Sequence, residues 1–185
     1  MEYTVIRSKR KTLALTLKDG EVIVRAPLKV SQSAIDSFVM RNLDWIERQL
    51  EKYERVAERV NALPPLGEAE LSALAEQARQ IIPQRVAYYA PLIGVTYGKI
   101  TVRRQKTRWG SCNAKGDLSF NCLLMLTPPQ VLDSVVVHEL CHRKEMNHSR
   151  AFYAQVLRVF PDYYKHHGWL KKNGGVLLGR VRTER

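Results

Sequence analysis

The sequence has 185 residues, 45% of them apolar, three cysteines and a formal net charge of +12. That length and apolar content suffice for one packed domain with an appendage, and no apolar run approaches the roughly 18 residues that a membrane helix needs. The N-terminal MEYTVIRSKRK lacks the hydrophobic segment of a secretion signal, so the expectation is a cytoplasmic protein with no membrane partner. Cys112, Cys122 and Cys141 are odd in number and unpatterned in spacing, which excludes a disulfide framework and points to reduced, mostly buried thiols. The charge is uneven, since residues 1–100 hold 15 basic and 12 acidic side chains whereas residues 101–185 hold 15 and 6. Such an excess attracts polyanions at long range and makes nucleic acid one partner to consider.

Along the chain, TLALTLKDGEVIVRAP alternates apolar and polar residues on both sides of Asp19-Gly20, the pattern of a β-hairpin with a tight turn, and Pro27 ends it. In SQSAIDSFVMRNLDWIERQLEKYERVAERV, apolar residues from Ile35 to Tyr53 recur at three- and four-residue spacings. They predict one long amphipathic helix, with Ser33 and Asp36 as its capping box. LPPLG at 63–67 interrupts it and marks the boundary expected within a single domain. Residues 1–66 would form a hairpin-plus-helix subdomain, and 67–185 a helix, sheet and catalytic core. EAELSALAEQARQIIPQRVAYYAPLIG reads as a further helix, bent or broken at Pro83.

From residue 95, VTYGKITVRRQKTRW and GDLSFNCLLML are β-prone runs separated by the turn-rich GSCNAKG, and they predict two antiparallel strands. Thr127 offers an N-cap, Pro128 suits the first helical position, and Gln130 stands three residues after the cap, so a helix should run through Val137 into HELCH. Ser149 can cap another, RAFYAQVLRVF, and Pro161 separates that from a last helical stretch ending near NGG. The class is α+β, a small antiparallel sheet packed on a helix, with an N-terminal β-hairpin and long helices.

HELCH carries the chemistry. Histidines four apart on a helix share one face, so His138 and His142 can offer imidazole nitrogens to one cation, with zinc the expected ion at one per chain. Glu139 lies about 100° further round, poorly placed to ligate but able to reach a water on the metal and act as general base. A water so activated attacks an electrophilic carbonyl or phosphorus. A catalytic zinc usually takes three protein ligands, and the candidates for the third are Glu145 and His148. His148 falls at the spacing of the metzincin motif His-Glu-x-x-His-x-x-Gly-x-x-His, although Glu145 occupies the glycine position. Asn147 tolerates a left-handed conformation and could turn the chain instead.

TRWGSC, GDLSFN, VVVHELCH, NHSRAFY and FPDYY, in order over about residues 100–170, together resemble the YgjP-like metallopeptidase family, relatives of the SprT and WLM zincins. The N-terminal hairpin and FVMRNLDWIERQL are similar to that family too. The resemblance implies a zincin-like fold, His138, His142 and His148 as ligands, and Glu139 as the catalytic acid/base.

Beyond these residues, Arg108 and Trp109 would shape a pocket if their strand edges the cleft and offers backbone groups to an extended peptide. Asn121 and Tyr153 could each turn a polar group toward a developing oxyanion. His166 and His167, on a late polar helix without acidic or cysteine partners nearby, read as surface residues. The leading expectation is therefore a zinc-dependent hydrolase, a metallopeptidase acting on a peptide or protein. Two others stand beside it. One is a metal-dependent nucleotide phosphohydrolase of the nucleoside triphosphate pyrophosphatase type, with Arg103, Arg104, Lys106 and Arg108 as a phosphate clamp; on a regular strand Arg104, Lys106 and Arg108 would share one side. The other is a nucleic-acid-associated protease recruited by its basic surface.

Overall fold

The computed structural model describes residues 2–181, and the chain divides into two compact units, Met1–Ala62 and Leu63–Arg185. In the first, strands β2 (Ala14–Lys18) and β3 (Glu21–Pro27) form the expected hairpin. Its turn is closed by Asp19 at φ 52° and Gly20 at φ 85°, the left-handed pair that lets a two-residue turn match the strand twist. A strand that alternation did not predict, β1 (Thr4–Ser8), pairs in parallel with β3; only Val5 and Ile6 are apolar in it, too few to make a pattern. Val22, Val24 and Ala26 of β3 alternate onto a core shared with Ile35, Val39 and Ile46.

The expected single helix of this unit is two, α1 (Gln32–Met40) and α2 (Leu43–Asn61). At the break the Asn42 side chain donates to the Phe38 carbonyl at 2.7 Å, competing for the acceptor that a continuous helix would give to backbone alone. The cap is also displaced: Ser31 Oγ, not Ser33, accepts from Ala34 N at 3.2 Å. Asp36 instead accepts from Tyr3 and Gln32.

The second unit opens with α3 (Glu68–Ile93), which runs unbroken through Pro83. Leu71, Ala78, Ile82, Val86 and Ile93 bury one face along its whole length, and that packing outweighs the single ladder bond a proline removes. Three short strands follow, β4 (Ile100–Arg103), β5 (Gly110–Cys112) and β6 (Leu118–Asn121), in the order β4-β6-β5. The α+β class holds, but the sheet is mixed, because β4 pairs in parallel with β6 and only β5 is antiparallel to it. Gly110, Ser111 and Cys112, expected in a turn, are themselves a strand. The turn proper is Asn113–Asp117, where Asn113 Nδ2 donates to Asp117 Oδ2 at 3.0 Å and Asp117 N to Asn113 Oδ1 at 2.9 Å.

After β6, residues Cys122–Leu126 form a 3-10 turn. Thr127 closes that turn, its hydroxyl donating to the Leu124 carbonyl at 2.7 Å, and so does not cap the next helix. Helix α4 (Pro129–Cys141) begins one residue later than expected, with Pro128 in the cap position. Ser149 does cap α5 (Arg150–Val159), and α6 (Tyr163–Gly179) continues past the glycines at 174 and 175. Helix α4 is the centre of the unit, with Val131, Leu132, Val136, Val137 and Leu140 buried. Arg85 of α3 fastens it, donating to both Asp133 oxygens at 2.6 Å, the bidentate geometry that gives such pairs direction as well as energy. Cys122 and Cys141 are buried, Cys112 half-buried, and all three are free thiols. No helix among the described residues is long and apolar enough to cross a membrane.

Candidate metal centre

His138 and Glu139 lie in the last turn of α4, and His142 is its C-cap residue at φ −62°, so the helical register persists just far enough to keep both imidazoles on one face. The next residues tighten, with Arg143 N bonding to Leu140 O and Glu145 N to Cys141 O, and the chain returns His148 to the same place. The return does not use a left-handed Asn147, since Asp19 is the one described non-glycine residue with positive φ. Asn147 Oδ1 instead accepts from Ser149 N at 3.2 Å, a short polar turn that leads directly into the Ser149 cap. Among the described residues, the ligand atoms of His138, His142 and His148 gather within 4.8 Å of one another.

One phenyl ring sets this arrangement. Phe152, fully buried, has its centroid 4.9 Å from His138, 4.6 Å from His142 and 5.0 Å from His148. Ser149 Oγ accepts from Phe152 N at 3.2 Å, so the cap that starts α5 also places the ring that backs all three imidazoles. The outer nitrogens are engaged: His138 Nδ1 lies 2.8 Å from the Tyr163 hydroxyl and His142 Nδ1 3.0 Å from the Glu145 carbonyl oxygen. Each ring is thereby left its Nε2 for a cation, and His138 Nε2 is 3.0 Å from His148 Nε2. Glu145 thus serves through its backbone.

For the polypeptide by itself, burial drives the His138 imidazole down to about 3, helped by His142 and His148, and burial lowers His142 as well. Both are neutral at physiological pH, the state that binds metal. Glu139 is buried, and burial lifts its carboxyl to about 8. It lies directly under β5: a Cβ built on Gly110 would stand 2.6 Å from Glu139 Oε1. Three converging imidazoles, two of them with supported outer nitrogens, and a carboxyl alongside fit a divalent cation of the kind held by nitrogen ligands.

The structure brings Arg108 and Trp109 to this centre, where they line a cavity of about 190 Å³ with Gly110, Val135, His138 and Glu139. Tyr153 is near too, its ring 6.3 Å from that of His148. Asn121 is not among the groups that converge here. It is fully buried, donates to the Gln105 and Arg108 carbonyls and accepts from Leu123 N, so its amide is spent holding the segment that carries Trp109. The four-residue basic strand does not form, because β4 stops at Arg103. Arg104 turns away to Glu68 at 2.7 Å.

His167 corrects the surface reading. It lines the same cavity and its Nδ1 is 3.3 Å from the Tyr163 hydroxyl, whereas His166 packs on Phe160. Tyr163, Phe152 and Gly110 were not singled out in the sequence. The four-residue spacing of Tyr163 and His167 was the available signal for the first, and nothing local marked the other two.

A histidine pair on a core helix, a third histidine returned by a turn, a buried glutamate and an edge strand laid over it define a zincin-like metallohydrolase site. The chain belongs to the YgjP-like metallopeptidase family, whose profile (YgjP-like, metallopeptidase domain) matches residues 11–73 and 66–173. No curated protein matches the sequence. Among solved structures, the chain is similar to the metallopeptidase zymogen abylysin of Pyrococcus abyssi at 19% identity and a TM-score of 0.45, covering 50% of this chain and 94% of that one.

Proposed function

We propose that the chain is a zinc-dependent metallopeptidase that cleaves extended peptide segments, with His138, His142 and His148 as ligands and Glu139 as the proton carrier. The observation that carries this reading is the convergence of three imidazoles within 4.8 Å beside one buried carboxyl. Bound zinc would act as a Lewis acid, acidifying water and polarising the scissile carbonyl. Glu139, held in an apolar recess, takes the proton of the attacking water and returns it to the leaving amine, the two-way duty for which a carboxyl with a raised pKa is suited.

The substrate class is supported by the sheet. Strand β5 pairs with β6 on one side only, so its outer edge can take an extended chain by backbone hydrogen bonds, directly above Glu139. Arg108 and Trp109 then form the wall that meets the adjoining side chain. Arg104, one of the four cations of the phosphate clamp that a nucleotide substrate would use, is engaged by Glu68 and Ser72 instead. Glu139→Gln should retain zinc and lose hydrolysis of an unstructured protein by several orders of magnitude. A Glu139→Gln variant cleaving at the wild-type rate, or wild type that cleaves only nucleoside triphosphates, would overturn the assignment.

A further inference from the structure

We infer that Tyr163 and His167 form a proton-ordered chain that holds His138 in its metal-binding tautomer, an inference that rests on the ligand role proposed above for His138. Its elements are geometric. The Tyr163 hydroxyl stands 2.8 Å from His138 Nδ1 and 3.3 Å from His167 Nδ1. The three rings are nearly parallel, at 16° between His138 and Tyr163 and 18° between Tyr163 and His167. Tyr163 is 2% exposed, so its hydroxyl has little access to bulk water.

The direction of the chain follows from counting protons. An imidazole that offers Nε2 to a cation carries its proton on Nδ1, and here that N–H has the Tyr163 oxygen to donate to. A phenol oxygen that accepts still has one proton of its own to give, and His167 Nδ1 is the acceptor within reach. His167 must therefore be bare at Nδ1 and protonated at Nε2, the tautomer opposite to that of His138. Each donation polarises the next, so the acceptor on His167 strengthens the grip on His138 from two bonds away.

This explains why His142 and His138 are supported differently. His142 donates to a backbone carbonyl, which a side-chain change cannot remove. His138 depends on a neutral phenol, a weaker acceptor than the carboxylate often found in that place, and the second histidine compensates. Tyr163 and His167 are positioning residues, since both act through His138.

The experiment is long-range 1H–15N NMR of the histidine rings in metal-free protein at pH 8, followed by Zn2+ competition against a chromophoric chelator. The expected wild-type spectrum has His138 protonated at Nδ1 and His167 at Nε2. Tyr163→Phe should mix the His138 tautomers and weaken Zn2+ binding about tenfold or more, as should His167→Leu. His167→Asn, which keeps an oxygen where Nδ1 stood, should retain the ordered His138 and bind Zn2+ within about threefold of wild type. Circular dichroism checks that each variant is folded, and His167→Leu, at a half-buried site, decides the matter should Tyr163→Phe not fold. A wild-type His138 protonated at Nε2, or a His167→Leu variant matching wild type in both tautomer and affinity, overturns the inference. Ordered tautomers in a wild-type protein that binds no Zn2+ would uphold the chain and strike only the metallopeptidase reading.

Discussion

Gly110 of β5 and Glu139 of α4 meet with no room for a single methyl group: a Cβ on Gly110 would approach Glu139 Oε1 to 2.6 Å, Cγ to 2.7 Å and Cδ to 2.9 Å. The edge strand can cover the carboxyl only because residue 110 lacks a side chain. Gly110→Ala must push the strand outward or turn Glu139 aside, and either change would separate the proposed proton carrier from a peptide bound along the strand edge as proposed above. The expected result is a fall in kcat/KM of about 100-fold with zinc content unchanged, since misplacement by about 1 Å has that effect. Steady-state kinetics beside metal analysis would check it; equal activity in Gly110→Ala would mean that this contact does not position the carboxyl.

Phe152 should couple stability to metal affinity. Phe152→Ala removes a fully buried ring and should lower unfolding stability by about 3–5 kcal/mol. It also withdraws the surface behind three imidazoles, so Zn2+ affinity should fall in the same variant, whereas Val156→Ala, buried on the same helix, should cost stability alone. Denaturant titration and chelator competition on both variants separate the two effects.

The Ser149 cap offers a milder version of the same test. Ser149→Ala loses the bond from Phe152 N and should destabilise the protein by about 1 kcal/mol. Ser149→Asp, which can still accept that bond, should return most of the loss in a thermal melt.

The Glu139 carboxyl gives the metal-free protein a pH signature. Its pKa is about 8 in the fold against 4.5 for the free side chain, so unfolding releases a proton between those values. The contribution is favourable below pH 4.5 and is lost as pH rises toward 8. Glu139→Gln should therefore be more stable than wild type by up to about 3 kcal/mol at pH 7, and equal to it near pH 4, at about 1.4 kcal/mol per unit. The depressed His138 imidazole acts in the opposite sense as pH falls below 6.5, but it is present in both proteins and cancels. Melts of chelated wild type and variant at pH 4, 6 and 8 would show a gap that widens with pH; a constant gap would contradict a buried, titrating Glu139.

The parts of this protein that were legible in sequence are those governed by local rules. Asp19-Gly20 specifies its turn, Ser149 its cap, and the spacing of His138 and His142 one helical face. The metzincin spacing also pointed to the return of His148 toward that pair, although the turn is not made through a left-handed Asn147. Errors arose where tertiary contacts decide. Arg41-Asn42 looks helical by period, yet the Asn42 side chain takes a carbonyl and splits the helix. Gly110-Ser111-Cys112 looks like a turn, but pairing with β6 makes it the strand over the Glu139 carboxyl. His167 looked polar and peripheral because its partner, Tyr163, matters only once α6 packs on α4.

The central claim, a three-histidine zinc centre, is tested most directly by metal analysis of purified wild type beside His148→Ala. His148 is the ligand to remove, since it is exposed and its loss leaves α4 and the His138–His142 pair in place. The account predicts about one zinc per wild-type chain and a fall well below half occupancy in the variant. Wild type without zinc, or a His148→Ala variant retaining the full complement, would contradict it.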